Sequence, residues 1–306
     1  MRRARLLSVV AGAVLLSGCA GSALTARLVH PGLAVAPTAT STAPKHLPRG
    51  GSAIIGHYRV VAYYGAPGTA ALGVLGSGSP ELAARAIEKR ARGFARYGLP
   101  VQPAMELIAT VAQGSAGKDG DYSKAVPAAQ IQRYLDVAHK HKMLLILDLQ
   151  PGRATFLRQM QALRPFLLDP SVSIALDPEW KVGPHQRPGG GRIGSSSAAE
   201  INAGSHYLSL LVKDHKLPDK LMIVHEFTQK MLPDRSKITR AKGVELTFHA
   251  DGFGSPAVKT RVYRKLHFPG PPFGVGFKLF LHQDSRVMTP REVMALRPRP
   301  DIVTYQ

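Results

Sequence analysis

A parallel α/β barrel of eight βα units is the fold the sequence predicts, and three observations carry it. Eight short apolar runs follow residue 57, at 59–65, 105–114, 143–152, 172–180, 221–228, 244–254, 275–284 and 301–306. Most are separated by stretches with helical period and helix caps, and strands that alternate with helices build parallel sheets. The span has the size of a (β/α)8 TIM barrel, about 250 residues, and nearly every run ends in acidic, histidine, aromatic or amide residues, where such a barrel carries its site.

The chain opens with Arg2, Arg3 and Arg5, then an apolar core from Leu6 to Leu16 that is too short for an ordinary transmembrane helix. Residues 1–18 read as an export signal ending in Leu16-Ser17-Gly18-Cys19. That motif resembles the lipobox of bacterial lipoproteins, and the resemblance implies acylation of Cys19 and a lipid anchor on the extracytoplasmic side of the cell membrane. An ordinary secretory signal is the competing reading. Cys19 is the only cysteine, so intramolecular disulfides and cysteine metal sites are excluded.

Residues 19–52 are rich in Ala, Thr, Pro, Ser and Gly, a composition that buries too little surface to order itself. They are expected to form a flexible tether with a reach of roughly 30 Å. The barrel then occupies 53–306 as a single domain.

Helix signals fill the gaps between runs. Ser79-Pro80-Glu81 supplies an N-cap, a proline at the first helical position and an early acid, before a helix expected to reach Tyr97. Residues 127–140 and 154–168 read as the second and third helices. Ser197-Ala198-Ala199-Glu200 is a capping-box pattern opening a helix to about His215. Ser255-Pro256 and Thr289-Pro290-Arg291-Glu292 open the helices after runs six and seven. The weakest stretch is 229–242, where the fifth helix is short or irregular. Nothing follows run eight, so the usual last helix is missing and either the N-terminal segment covers that flank or the barrel is trimmed there. The longest loop, 181–196, holds Gly189-Gly190-Gly191 but lacks the Gly-Lys-Ser/Thr of a phosphate loop. It reads as a lid or substrate-binding loop.

Net charge is +20, and about +17 remains without the signal. Export argues against nucleic acid as the partner. Anionic lipid head groups and acidic envelope polymers are the polyanions available outside a cell, although a dispersed, solvated basic exterior accounts for the same residues.

The chemistry concentrates at run ends. In a strand, residues two apart share a face, so Leu176-Asp177-Pro178-Glu179-Trp180 is expected to aim Asp177 and Glu179 together, with Cα atoms roughly 6.5–7 Å apart. Neighbouring carboxylates push their proton affinities apart, which suits an acid pair for glycosidic cleavage. Trp180 and Tyr64 are candidate sugar-stacking surfaces. Asp148, Gln150, His225, Glu226, His249, Asp251, Lys278, His282, Asp284 and Tyr305 complete the expected substrate-binding set.

An aspartate-x-glutamate at the end of strand four of a barrel resembles the family 18 glycoside hydrolases and, more loosely, the family 25 lysozymes. The resemblance implies Glu179 as general acid and Asp177 as the group that orients a substrate acetamide. Tyr63-Tyr64-Gly65 is similar to the first strand of family 18 chains, and Ala250-Asp251-Gly252 lies where they carry a tyrosine–aspartate pair. The two upstream aspartates of family 18 are Val172 and Ala175 here, and the strand-one aspartate of family 25 is absent. The chain also resembles a group of exported bacterial lipoproteins.

The expected function is therefore a lipid-anchored barrel of glycoside-hydrolase type acting on a cell-envelope glycan, with no cofactor. Its rival is a glycan-binding or envelope-organising lipoprotein on a degenerate barrel, in which Asp177 and Glu179 would be an ion-paired or loop-capping pair. A third reading is a metal-dependent hydrolase using His225, His249, His282 and nearby carboxylates. No His-x-His ends run one and no His-Glu-x-x-His helix is present, so no metal ligands are assigned. A Gly-x-Ser-x-Gly elbow is also absent.

Overall fold

The computed structural model describes residues 46–266 and 273–306. The export signal at 1–18, Cys19 and the tether as far as residue 45 lie outside the described residues. The strands are β1 (Arg59–Gly65), β2 (Val101–Ala112), β3 (Ser123–Ala125), β4 (Leu144–Leu149), β5 (Val172–Leu176), β6 (Lys220–Glu226), β7 (Val244–Ala250), β8 (Gly274–Leu279) and β9 (Ile302–Tyr305). The helices are α1 (Pro80–Arg92), α2 (Ala128–Lys140), α3 (Phe156–Ala162), α4 (Arg164–Leu167), α5 (Ala198–His215), α6 (Pro256–Leu266) and α7 (Pro290–Met294).

All strands but β3 pair in parallel in the order β1-β2-β4-β5-β6-β7-β8-β9, and β9 pairs back onto β1. The sheet is therefore closed, and the fold is a (β/α)8 TIM barrel. Each of the eight predicted runs supplies one barrel strand. β3 is an addition the apolar pattern did not announce. It pairs antiparallel with the end of β2, Thr110 against Ala125, and extends that strand beyond the barrel rim.

Local chemistry sets the helix ends. Ser79 caps α1 by accepting from the Leu82 amide, but the helix stops at Arg92 and turns carry the chain to Tyr97. The 154–168 stretch divides into α3 and α4, with Pro165 in the first turn of the second piece, where its missing N–H costs nothing. Ser197 caps α5, yet Glu200 does not complete the expected box. Its carboxylate instead accepts from the Phe156 amide at 3.2 Å and the Ser196 hydroxyl at 2.9 Å. Thr289 and Glu292 do make the reciprocal box. Between β6 and β7 only two 3₁₀ turns form, Gln229–Met231 and Arg235–Lys237.

Strand alternation divides the apolar residues into two layers. Outward side chains such as Val61, Met105, Leu147, Ile174, Val224 and Phe277 pack beneath the helices. Inward ones, including Val60, Ala104, Ile146, Ala175, Ile223 and Ile302, fill the lower half of the barrel, where Leu47 and Ile54 join them. The carboxylate of Glu245 at the start of β7 holds that N-terminal plug by accepting from the Ile54 and Ile55 amides. Residues 46–52, assigned to the tether by composition, thus belong in part to the barrel floor: Leu47 is 3% exposed. On the flank where an eighth helix would pack, the Arg90 guanidinium of α1 lies 4.6 Å over the Tyr305 ring. No described helix is long and apolar enough to cross a membrane.

Candidate active site

Above the apolar floor the inward positions change character. Tyr64 on β1, Glu106 on β2, Asp148 on β4, His225 on β6, His249 on β7, Lys278 on β8 and Thr304 on β9 are all buried. Asp177 and Asp251 follow directly on the ends of β5 and β7. The groups meet at the C-terminal mouth, beneath a cavity of about 500 Å³. Its polar lining includes Tyr64, Gln150, Asp177, Glu179, Asp251 and Lys278, and its apolar walls include Trp180, Phe227, Phe253 and Phe280.

Asp177 and Glu179 reach this cavity by a different route from the one alternation predicts. β5 ends at Leu176, and Pro178–Trp180 is a 3₁₀ turn entered through Asp177 at φ −114°, ψ 86°. Pro178 has no N–H to continue the ladder. Asp177 is therefore buried on the floor, while Glu179 stands half-buried nearer the rim.

A hydrogen-bonded chain crosses the barrel beneath them. The Tyr64 hydroxyl donates to Asp148 Oδ2 at 3.0 Å and accepts from Gln150 Nε2 at 3.3 Å. His225 Nε2 lies 2.8 Å from Glu106 Oε1, and the Thr304 hydroxyl donates to Glu106 Oε2 at 2.9 Å. His249 Nε2 is 3.1 Å from that hydroxyl. Lys278 Nζ sits 3.1 Å from Asp251 Oδ1 and 3.6 Å above the Tyr64 ring. Gly276 on β8 makes room for His249, since a Cβ there would fall 2.2 Å from the imidazole Cδ2.

Burial and mutual repulsion separate the proton affinities of these groups. Burial, then the Glu106 charge, holds Asp148 well above the usual carboxylate range. Burial, then Asp148 and Glu179, does the same to Asp177. Glu179 is pushed up to about 6, by burial first and Asp251 second, with Lys278 pulling against them. Burial drives His225 down to about 3 and His249 well below its ordinary value, so both imidazoles are neutral at physiological pH. Burial alone would lower Lys278, but the surrounding acids, Asp251 foremost, raise it. Carboxylates of unlike proton affinity around one cavity can divide acid and base roles.

The predicted residues fall into three groups. Tyr64, Gln150, Asp177, Glu179, Trp180, Asp251 and Lys278 line the cavity. Asp148, His225 and His249 lie under it, in the chain just described. Glu226, Asp284, His282 and Tyr305 are elsewhere. Because His225 points inward, Glu226 points outward, where it pairs with Arg235. Tyr305 likewise faces out beside Tyr63, since Thr304 takes the inward position. β8 ends at Leu279 and the chain turns, so the alternation expected through 282 and 284 fails. His282 is exposed on that turn. Asp284 clasps the turn by accepting from the Phe280 and Gly254 amides at 2.9 and 3.0 Å and pairing with Lys259.

Loop 181–196 packs against the turn after β5 rather than over the cavity. The Gly194 amide donates to the Glu179 carbonyl at 2.7 Å, and a Cβ there would press within 2.5 Å of the carbonyls of Pro178, Glu179 and Lys181. None of its described residues lines the cavity. The loop fastens the turn that presents Glu179.

Sequence reasoning missed Glu106 and Thr304, which hold the two histidines. A lone acid inside the apolar Met105-Glu106-Leu107 run was the available signal, but attention to strand ends passed over it. No family model matches the chain, and no curated protein matches it.

Proposed function

We propose that this chain is an exported, lipid-anchored barrel that hydrolyses glycosidic bonds in a cell-envelope glycan, with Glu179 as the general acid. The observation that carries the reading is the state of Glu179. It lines the cavity with a proton affinity raised to about 6, which keeps part of it protonated near neutral pH and able to donate to a leaving oxygen. Neither Glu179 nor Asp177 forms an ion pair among the described residues, as a rim pair of purely structural role would.

In this reading Asp177 orients the reacting sugar from the floor. Asp251, Lys278, Gln150 and the Tyr64 ring fix its hydroxyl or acetamido groups, and Trp180 with Phe253 supplies apolar surface for a ring face. Asp148, His225 and His249 act from beneath by positioning Tyr64 and Asp251. The anchor would be the acyl group on Cys19, and the net positive charge would draw the domain to anionic envelope polymers or head groups, export arguing against nucleic acid as the partner.

The test is reducing-end release from envelope glycans and acetamido-sugar oligomers, comparing the parent with Glu179→Gln. Turnover that the variant loses supports the reading. No turnover on any substrate, with glycan binding intact in both proteins, replaces it with the glycan-binding module.

A further inference from the structure

The hydrogen bonds below the cavity leave one nitrogen lone pair unused on each of two neighbouring imidazoles. Thr304 has one hydroxyl proton and gives it to Glu106 Oε2, so its oxygen must accept from His249, whose proton is then on Nε2. Glu106 Oε1 can only accept from His225, which places that proton on Nε2 as well. A neutral imidazole protonated at Nε2 carries its lone pair on Nδ1. Both Nδ1 atoms are buried, and neither makes a hydrogen bond. Buried polar atoms are almost always satisfied, so two orphans side by side call for a ligand.

Asp251 completes the set. One potential ligand atom from each of His225, His249 and Asp251 lies within 4.8 Å of the others, and Asp251 Oδ2 is 3.4 Å from His225 Nδ1. The imidazole rings are 5.1 Å apart at their centroids and tilted by 57°, so they are neighbours without being stacked. We infer that His225, His249 and Asp251 form a binding site for a divalent transition cation of the zinc class on the floor of the barrel cavity.

Two imidazole nitrogens and one carboxylate suit such an ion, while an oxygen-seeking calcium or magnesium ion would find too few oxygens. Glu106 is the outer partner of the site. It holds His225 directly and His249 through Thr304, the arrangement that fixes tautomer and ring orientation around bound metals. Asp251 lines the cavity and gives the ion its way in. Lys278 shares Asp251 at 3.1 Å, so an entering ion competes with its ammonium for that carboxylate. The site stands whether or not the barrel cleaves a glycan.

The test is titration of the untagged full chain, in detergent, with Co²⁺, followed by visible ligand-field absorption and by competition with Zn²⁺. One equivalent bound with nitrogen-ligand bands, displaced by Zn²⁺, is the expected result. The His225→Ala/His249→Ala double variant and Asp251→Asn should lose the bands. Glu106→Gln should bind about 10- to 100-fold more weakly, and His282→Ala should bind like the parent because it lies outside the barrel mouth. No uptake by the parent overturns the inference, and it needs no variant to fold. Uptake undiminished in the double variant, or abolished in His282→Ala, also overturns it by placing the ion on the surface.

Discussion

The lower and upper layers of the barrel interior come from the same strands by the same alternation, and both are almost completely dry. Their chemistry is opposite. Below, Ala62, Ala104, Ile146, Ile223 and Ile302 fill the space with aliphatic carbon, closed by Leu47 and Ile54. One inward step higher, Tyr64, Glu106, Asp148, His225, His249 and Lys278 occupy equivalent positions. Burying ionisable groups is unfavourable unless each is paired, and here several atoms are left unpaired, among them Asp148 Oδ1, Asp177 Oδ1 and both histidine Nδ1 atoms. A fold assembled only for stability would continue the lower layer upward. The contrast assigns stability to the floor and chemistry to the mouth, the division expected of this architecture.

Substitutions in the two layers should therefore separate rate from stability. The largest effect is expected from Glu179→Gln in the upper layer. Loss of a general acid should lower kcat by 10²- to 10⁴-fold on a cleavable glycan, with the denaturation midpoint no lower than the parent's. In the parent, kcat/KM should decline above about pH 6 as Glu179 loses its proton. A variant with parental turnover would remove Glu179 from the mechanism. Ile223→Ala in the lower layer should do the reverse. It leaves a cavity in a fully buried cluster, which costs about 2–5 kcal/mol, measurable by urea unfolding, while kcat stays within a few-fold. A comparable loss of kcat in Ile223→Ala would mean the layers are not independent.

The same contrast explains what was legible in the sequence. The barrel was legible because eight apolar runs must alternate with helices, and periodicity survives any detail of packing. Tyr64, Asp148, His225 and His249 were legible because each is a polar residue near the end of a strand that persists to it. The errors come where the strand stops. Pro178 breaks β5, so Asp177 and Glu179 meet the cavity through a turn, and the bend after Leu279 throws His282 outward. Glu226 and Tyr305 were misplaced for a simpler reason. Adjacent residues of one strand cannot both point in, and nothing in the sequence says which of the pair does. Glu106 was hidden because its partners, His225 and Thr304, are 119 and 198 residues away.

A smaller effect should appear in stability against pH. Glu179 has a folded-state proton affinity raised from 4.5 to about 6, above its unfolded value. Between those values the folded state keeps a proton that the unfolded state has lost, so stability falls as pH rises. Glu179→Gln removes that loss. The variant should match the parent near pH 4, where both states are protonated. It should gain on the order of 2 kcal/mol above pH 6, by the usual conversion of a proton-affinity shift. Urea unfolding at pH 4 and pH 7.5 measures the difference, and an equal gain at both would show that the carboxyl's ionisation is not its cause.

The smallest effect is expected within the upper layer, in Tyr64→Phe. The ring remains, so its packing under Lys278 at 3.6 Å is kept, and only the hydroxyl is lost. That hydroxyl donates to Asp148 and accepts from Gln150. Its removal should cost about 0.5–1.5 kcal/mol, the net worth of a typical buried hydrogen bond. The pH dependence tells how it acts. The Tyr64 hydrogen bond lowers the proton affinity of Asp148 against the larger effect of burial, so without it Asp148 should hold its proton more tightly in the folded state. A raised folded value loses stability with rising pH, so the variant's deficit, followed by urea unfolding from pH 4 upward, should grow as pH rises through the folded-state titration of Asp148. A deficit that stays constant with pH would mean that the hydroxyl acts as a hydrogen-bond partner without bearing on the ionisation of Asp148.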